Sequence, residues 1–473
     1  MRRRYYMNEH KHYYDGQWQD SNSDKTIEVI NPATEEVITT ITEATEEDVN
    51  QAVASAKAAF TEWNTTAPSK RAEYVRKILE GIKSKKQELA DMMVKELGTS
   101  QTFAEETQVT LSTSEMEATL EELEAFEFEE KVDNATLIKE GFGVVACITP
   151  WNYPLNQIQR KITPALLAGN TVVVKPAELT PLTALLLTEI IDDVGLPKGV
   201  FNLILGSGDE TGDYLTNHPD VDVISFTGST KVGRSLYEKA GKTVKQLVLE
   251  LGGKSPMVYL KGGDLELAVK KAATTLLNNQ GQSCSALSRL IVPKDELEKT
   301  KEILKDLYKD VKVGDPTDDD TVVGPISSKE QYETVLNYIQ KGKDEGAEVL
   351  LGGNKIDRKG YYVEPTVFVN VTNDMTIAQE EIFGPVLVVI TYDSVEEAVD
   401  IANDVIYGLS GGVVGPEDEA IKVARQIRTG NIFINDGEKT AKAPFGGYKQ
   451  SGLGRENGIY GVEDYLEIKA LFI

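Results

Sequence analysis

The sequence predicts an α/β fold organised around a doubly wound parallel sheet. From Phe142 onward, short β-branched apolar runs alternate with helical stretches. Such runs are buried on both faces, as are the strands of a parallel sheet covered by helices. The chain has 473 residues, 40% of them hydrophobic and 27% charged, which suits a globular protein too long for one core. We therefore expect two or three domains, one of them of the doubly wound, nucleotide-binding type.

The N-terminal part predicts a short β-rich segment over residues 26–42 and then long helices. Thr45 followed by Asp48 is the signature of a helix N-terminus, and helical periodicity continues over residues 69–97. Residues 104–130 are rich in glutamate, and a solvated acidic face is the expected role of such a stretch.

The alternating region predicts six short strands, with helices between several of them. The strands are 144–148, 171–174, 201–205, 222–225, 247–249 and 257–260, and the helices include 181–194 and 231–239. A second alternating block extends from residue 264 to about 428, and its first helix, 264–278, ends just before Cys284. The stretch 461–473 alternates and ends in apolar residues, which favours its addition as a strand to another subunit's sheet.

Charge and composition exclude several classes of partner. A net charge of −26 repels nucleic acid and anionic lipid, so we expect neither as a partner. Two cysteines and three histidines give neither a disulfide framework nor a clustered metal site. No apolar run is long enough to cross a bilayer. The basic residues 1–7 are followed by polar ones, unlike a signal peptide, and whether the native chain starts at Met7 is left open. We expect a cytoplasmic protein.

Cys284 and Glu250 have the residue types that covalent chemistry on a carbonyl carbon requires. Cys284 lies in the Gly/Ser-flanked run Gly281-Gln282-Ser283-Cys284-Ser285, and Glu250 ends an apolar strand. A thiolate can form an acyl-sulfur bond that a base-activated water then breaks. The alternative is that Cys284 is a small buried hydrophobe, which is the role expected of Cys147.

Glycine turns and strand ends predict a phosphate- and ribose-binding edge. Phe226-Thr227-Gly228-Ser229-Thr230 closes a strand and opens a helix whose free amides suit a pyrophosphate, and Gly233 allows close packing of that helix. The run 206–212 departs from a dinucleotide fingerprint by one residue, and we interpret it as a loop. Lys175 and Glu178 end another strand, where they could grip ribose hydroxyls or form a simple surface ion pair.

Two further segments carry candidate residues. Asn152, in the turn Thr149-Pro150-Trp151-Asn152-Tyr153-Pro154, could direct its amide at an oxyanion or merely form the turn. Glu381 and Phe383 belong to Glu380-Glu381-Ile382-Phe383-Gly384-Pro385, a combination that few structural loops need, although a packed loop is the alternative.

Together these segments resemble the signatures of the NAD(P)-dependent aldehyde dehydrogenase superfamily, non-acylating branch. The resemblance extends from about Ile27 to the C-terminus and rests on TPWNYP, KPAE, FTGSTKVG, LELGGKSP, GQSCSALSR, EEIFGPV and PFGGYKQSGLGRE. It implies oxidation of an aldehyde to the carboxylic acid through a thiohemiacetal and a thioester on Cys284. Glu250 would be the general base, and Asn152 would form the oxyanion hole with the Cys284 amide.

The resemblance also implies a cofactor site, with NAD expected over NADP because Glu178 would repel a 2′-phosphate. Lys175 and Glu178 would hold the adenosine ribose, Trp151 and Ser229 the pyrophosphate, and Glu381 and Phe383 the nicotinamide riboside. The remaining members of the implied site are Thr149, Gly208, Phe226, Gly228, Val232, Gly233 and Leu251.

The family's architecture implies three parts. Residues 1–123 and 142–252 would form the NAD-binding domain, 253–448 an α/β catalytic domain, and 124–141 with 458–473 a small β oligomerisation sheet. That sheet would make a homodimer or homotetramer through the C-terminal strand.

The residues expected to contact the substrate are Tyr153, Arg160 and Phe445. Succinic semialdehyde dehydrogenases resemble this chain in having arginine at the position of Arg160, where it meets a carboxylate, but they carry a second arginine where this chain has Asn278. The expected substrate is a small aldehyde, with a carboxylate-bearing semialdehyde as a narrower candidate. Alternatively, Arg160 points to solvent or pairs with an acidic neighbour.

Two other functions stay open. An acylating enzyme would pass the thioester to CoA, but such chemistry does not need Glu250 as a hydrolytic base. A catalytically silent binding or structural relative would have no reason to keep Cys284, Glu250 and Asn152 together.

Overall fold

The largest sheet has eight strands and a parallel centre. In the computed structural model, which describes residues 8, 10–21 and 23–472, five neighbouring strands of this sheet run parallel. The predictions for residues 1–7 lie outside the described residues. In spatial order the strands are Gly452–Leu453, Gln246–Glu250, Val223–Thr227, Val144–Ile148, Thr171–Lys175, Phe201–Leu203, Lys11–Tyr14 and Gln17–Asp20. The doubly wound α/β prediction is confirmed.

Helices cover both faces of this sheet, because the apolar strands and the apolar sides of the helices are buried against each other. Helix Pro181–Val194 begins with proline at its first position and ends at Gly195, which has a φ of +69°. Helix Glu46–Thr65 has the predicted capping box between Thr45 and Asp48. The other helices near this sheet are Pro68–Ser84, Lys86–Glu96, Gln101–Phe103, Thr110–Leu123, Pro154–Ala168, Thr211–Asn217, Thr230–Ala240 and Gly458–Glu463.

A second sheet has seven strands. Its order is Glu348–Leu351, Thr366–Val371, Val386–Tyr392, Arg289–Pro293, Pro256–Tyr259, Gly412–Val414 and Phe433–Ile434, with only the first pairing antiparallel. The sixth predicted strand, 257–260, therefore belongs here and not with the five before it. Its helices are Leu265–Leu277, Leu297–Tyr308, Lys329–Asp344, Thr376–Gln379, Val395–Asn403 and Glu417–Ala424.

Two smaller sheets complete the fold. The hairpin Thr26–Asn31 with Glu36–Thr42 confirms the β-rich N-terminal segment. Strands Glu129–Val132, Ala135–Gly141 and Leu466–Phe472 form a three-stranded antiparallel sheet. Ile468 and Phe472 on its edge are 65% and 77% exposed, which fits the predicted contact with another subunit. The domain boundaries and the oligomer stay predictions.

The expectation of a solvated acidic face over residues 104–130 is wrong for Glu115. Residues Ala104–Val109 form a π-helical turn that continues into helix Thr110–Leu123. Val109, Met116 and Leu123 face the core from it, and Glu115 lies on the same side with 1% of its surface exposed. The helix is amphipathic, so residue spacing and not the local density of charge decides which glutamates reach water.

The chain segment 251–255 connects the two large sheets. This segment leads from the carboxyl end of strand Gln246–Glu250 to the amino end of strand Pro256–Tyr259. Loops that precede Arg289–Pro293 and Val386–Tyr392 reach the same place. The carboxyl ends of one parallel sheet therefore face the amino ends of the other. Within the described residues, no helix is both long and apolar enough to span a membrane.

Candidate active site

Cys284 lies on a loop whose backbone is bent tightly before it. Asn279, Gln280 and Gly281 all have positive φ, at 50°, 57° and 69°, so the chain reverses directly after helix Leu265–Leu277. A side chain at Gly281 would lie 2.2 Å from the Gly384 carbonyl oxygen. Glycine therefore allows the cysteine loop to touch the loop that carries Glu381 and Phe383. Cys284 itself is partly exposed.

The Cys284 sulfur is held as a neutral thiol by its surroundings. Burial raises its pKa to about 12, Glu381 and Glu250 act in the same direction, and Arg160 opposes them. A thiol must lose its proton to attack a carbonyl carbon. A positive charge brought into the site would therefore favour the reactive form.

Glu250 ends its strand inside the protein with its carboxylate unengaged. It is 2% exposed, and neither carboxylate oxygen has a hydrogen-bond partner among the described residues. Burial raises its pKa well above the ordinary value, and Glu456 adds to the effect. An unpartnered buried carboxyl group with a raised pKa is suited to general base chemistry.

Asn152 contacts the cysteine loop directly. Its side-chain nitrogen donates to the backbone oxygen of Gln282 at 3.0 Å, and its backbone oxygen accepts from the side-chain nitrogen of Asn279 at 2.9 Å. The turn before helix Pro154–Ala168 is thus fastened to the Cys284 loop, and Asn152 and Cys284 line the same cavity.

Two adjoining cavities, of about 570 and 270 Å³, lie at the carboxyl ends of the parallel strands of the eight-stranded sheet. Trp151 and Gly228 line both of them, and Cys284 lines the smaller one. Every predicted cofactor residue except Gly233 lines at least one cavity: Thr149, Trp151, Lys175, Glu178, Gly208, Phe226, Gly228, Ser229, Val232, Leu251, Glu381 and Phe383. Gly233 instead gives room to Leu251, whose Cδ1 atom would lie 2.6 Å from an added Cβ.

The larger cavity presents groups that suit a dinucleotide. Thr149 and Thr227 line it with buried hydroxyls that have no partner in the described part of the chain. Ser229, which lines the smaller cavity, caps helix Thr230–Ala240, and Lys231 and Val232 of its first turn line the larger one, so the helix N-terminus borders both spaces. Lys175 is 2% exposed and donates to Gly206 O at 2.7 Å and to Glu178 at 3.3 Å. The lysine is buried, so this is not a simple surface ion pair.

Glu381 and Phe383 face the smaller cavity. Glu381 accepts a hydrogen bond from the Gly253 amide at 3.0 Å, and burial raises the pKa of its carboxyl group to about 7. Phe383 has a φ of 56° and meets Trp151 edge to face at 5.4 Å between ring centroids. Positive φ is unfavourable for a large side chain, so the loop holds this ring in place at a cost.

Arg160 pairs with an acidic neighbour. It is 5% exposed, and two of its guanidinium nitrogens donate to Glu115 at 2.8 and 2.6 Å. Its guanidinium carbon lies 4.6 Å from the centroid of Phe445. Glu115 is a residue that the sequence analysis missed, although the apolar positions 109, 116 and 123 on either side of it indicated a buried face.

The sequence analysis also missed a buried ion pair beside Glu250. Lys161 donates to Glu456 at 2.8 Å, and both side chains are 0% exposed. Glu456 ends the segment PFGGYKQSGLGRE, but nothing in the segment indicates its contact with a lysine almost 300 positions earlier. Within the described chain, no group of His, Cys, Asp or Glu is arranged to hold a metal ion.

Comparison with known proteins identifies the same family by sequence profile and by individual relatives. The sequence profile of the Aldehyde dehydrogenase family matches residues 18–471. A Staphylococcus haemolyticus protein named "putative aldehyde dehydrogenase" is 47% identical over 463 residues, covering 97% of this chain and 98% of that protein.

Solved structures agree with the sequence comparison. Aldehyde dehydrogenase C of Pseudomonas syringae, a cysteine-to-alanine mutant in complex with NAD+ and octanal, superposes with a TM-score of 0.97 at 43% identity and covers 98% of this chain and 97% of its own. A betaine aldehyde dehydrogenase of Staphylococcus aureus in complex with NAD+ has a TM-score of 0.95 at 38% identity, with 98% and 95% covered.

Proposed function

Because this chain belongs to the aldehyde dehydrogenase family, we propose that it oxidises a small aldehyde to the carboxylic acid with NAD. The observation that carries the proposal is the meeting of Cys284, Asn152 and Glu381 in one cavity, continuous with a groove that suits a dinucleotide. The NAD+ complexes of similar structures support the choice of cofactor.

NAD fits the paired cavities through the chain's own groups. Lys175 and Glu178 would hold the adenosine ribose, the amides after Ser229 the pyrophosphate, and Glu381 and Phe383 the nicotinamide riboside. When bound, NAD supplies the hydride acceptor. Its positive ring would also favour the Cys284 thiolate, whose pKa is otherwise raised by burial, Glu381 and Glu250.

The covalent steps belong to Cys284. Its sulfur attacks the aldehyde carbon, and the resulting oxyanion is stabilised by the Asn152 amide and the Cys284 backbone amide. Loss of hydride from this thiohemiacetal leaves a thioester. Glu250 then takes a proton from water, which attacks the thioester carbonyl and releases the acid and the free thiol.

The unengaged carboxylate of Glu250 favours hydrolysis over transfer to CoA, and the complete set of groups favours catalysis over a silent binding role. The narrower candidate, a semialdehyde of a dicarboxylic acid, depends on Arg160, whose guanidinium is already held by Glu115. The substrate proposed here is therefore the broader class of small aldehydes.

The test is NADH formation with a panel of aldehydes, with and without CoA, in the wild type, Cys284→Ser and Glu250→Gln. We expect CoA-independent turnover in the wild type and none in Cys284→Ser, because a hydroxyl without an adjacent base is a weak nucleophile. Glu250→Gln should keep a rapid burst of NADH and lose the steady rate. CoA-dependent turnover would show an acylating enzyme, and NADH formation by neither the wild type nor Glu250→Gln would contradict the proposal.

A further inference from the structure

Glu115 is the centre of a buried cluster that connects three segments of the chain. Its Oε2 atom accepts from Asn156 at 2.9 Å, Gln159 at 3.1 Å and Arg160 Nε at 2.8 Å. Its Oε1 atom accepts from Arg160 Nη2 at 2.6 Å, Lys439 at 3.0 Å and Asn457 at 3.1 Å. The carboxylate is thus saturated with six hydrogen bonds, two of them from one arginine.

The contacts within the cluster stabilise the charged forms of Glu115 and Arg160. Burial acts to raise the pKa of Glu115, but Arg160 and Lys439 outweigh it and lower that pKa to about 2. Glu115 in turn keeps Arg160 charged against the cost of burial. Because the Nε and Nη2 atoms form the edge of arginine that grips a carboxylate bidentately, that edge of Arg160 is fully engaged inside the protein.

The cluster borders the approach to Cys284. Arg160 and Lys439 lie over the ring of Phe445, at 4.6 and 5.3 Å from its centroid. Phe445 precedes Gly446, where an added Cβ would lie 2.6 Å from Glu250 Oε1, so the ring adjoins the site that contains Glu250. Arg160 also lies on helix Pro154–Ala168, whose preceding turn is bonded to the cysteine loop through Asn152 and Gln282. The tail of a substrate bound to Cys284 would therefore meet this wall.

We propose that Glu115 is a built-in carboxylate that occupies Arg160, so that the enzyme selects aldehydes with an uncharged tail. The inference rests on the proposed function. A carboxylate on the substrate would find the Nε–Nη2 edge of Arg160 taken and the Lys439 ammonium bonded to the same Glu115 carboxylate, so both cations of this wall are already paired. Neutral tails need neither cation, and they can pack on Phe445 and hydrogen-bond to the remaining donors of Arg160.

The proposal is tested with two four-carbon aldehydes, succinic semialdehyde and butanal, by comparing kcat/KM for NADH formation in the wild type and in Glu115→Gln. The wild type should prefer butanal by about tenfold or more, the discrimination expected for one unpaired charge at a desolvated site. Glu115→Gln frees the guanidinium while Asn156 and Gln159 can turn their amides to meet the new one. The ratio should then shift by about tenfold toward succinic semialdehyde.

Two further variants separate this effect from general damage. Glu115→Gln/Arg160→Gln should lose the gain, because the gain comes from the freed guanidinium. Glu117→Gln removes a carboxylate from the exposed side of the same helix, where it pairs with Lys83, and should leave the ratio unchanged. If Glu115→Gln does not fold, the wild-type ratio decides, and a preference for succinic semialdehyde overturns the proposal.

The outcomes are distinct. A folded Glu115→Gln enzyme with the wild-type ratio overturns the inference and leaves the proposed function intact. Failure of the wild type to form NADH with either aldehyde, or with the wider panel, overturns both.

Discussion

Substitution of Gly446 by alanine tests whether the Glu250 carboxylate works from the place where the structure puts it. A Cβ atom at residue 446 would lie 2.6 Å from Glu250 Oε1 and 2.8 Å from the backbone oxygen of Gly454, against an ordinary contact of at least 3.4 Å. To restore that contact the carboxylate would have to move by about 0.8 Å and the backbone at Gly454 by about 0.6 Å, and the φ of +157° at residue 446 adds backbone strain. Misplacement of a catalytic group by about 1 Å can cost roughly 100-fold in rate, or about 2.7 kcal/mol.

The expected loss is confined to thioester hydrolysis. In stopped-flow measurements Gly446→Ala should keep the NADH burst, because Cys284 and Asn152 are untouched, while the steady rate falls by about 10- to 100-fold. Gly411→Ala is the matched control, because Gly411 is also buried but its added Cβ would meet its neighbours at an ordinary 3.6 Å. An equal loss of burst and steady rate, or no loss of either, would refute this positioning of Glu250.

Three other predictions follow from buried charges and from the cofactor groove. The steady rate should rise with pH along a limb that is shifted above the ordinary glutamate range, because burial and Glu456 raise the pKa of Glu250 and only its deprotonated form accepts a proton. In a pH-rate profile, any residual steady turnover of Glu250→Gln should lack this limb. Lys161→Met should lower the free energy of unfolding by about 3–5 kcal/mol in urea titrations, because it leaves Glu456 buried without its partner. The double variant Lys161→Met/Glu456→Leu should recover much of the lost stability. Equal losses of stability in the single and double variants would contradict this prediction. The ratio of kcat/KM for NADP to that for NAD should be well below one and should rise in Glu178→Ser, because the carboxylate would repel a 2′-phosphate; a wild-type preference for NADP would place Glu178 away from the ribose.

The sequence by itself determined the fold class and the residue types of the site. Short strands buried on both faces, as in 144–148 and 171–174, have local signatures that the structure reproduces. Helix Pro181–Val194 was predicted to the residue because proline and glycine punctuate its ends. Cys284, Glu250 and Asn152 stand in long distinctive segments, so a role for each could be proposed from its neighbours in the chain.

Only the tertiary structure decided the partners of the buried charges. Glu115 is one of many glutamates in an acidic stretch, yet the fold turns it inward to Arg160 and to Lys439, 324 positions away. The pairing of Lys161 with Glu456 spans 295 positions. Long-range contacts of this kind leave no local pattern, because a charged side chain has the same sequence signature whether it reaches water or a buried partner. The physical cost of burying a charge requires a partner, and only the fold shows which one it is.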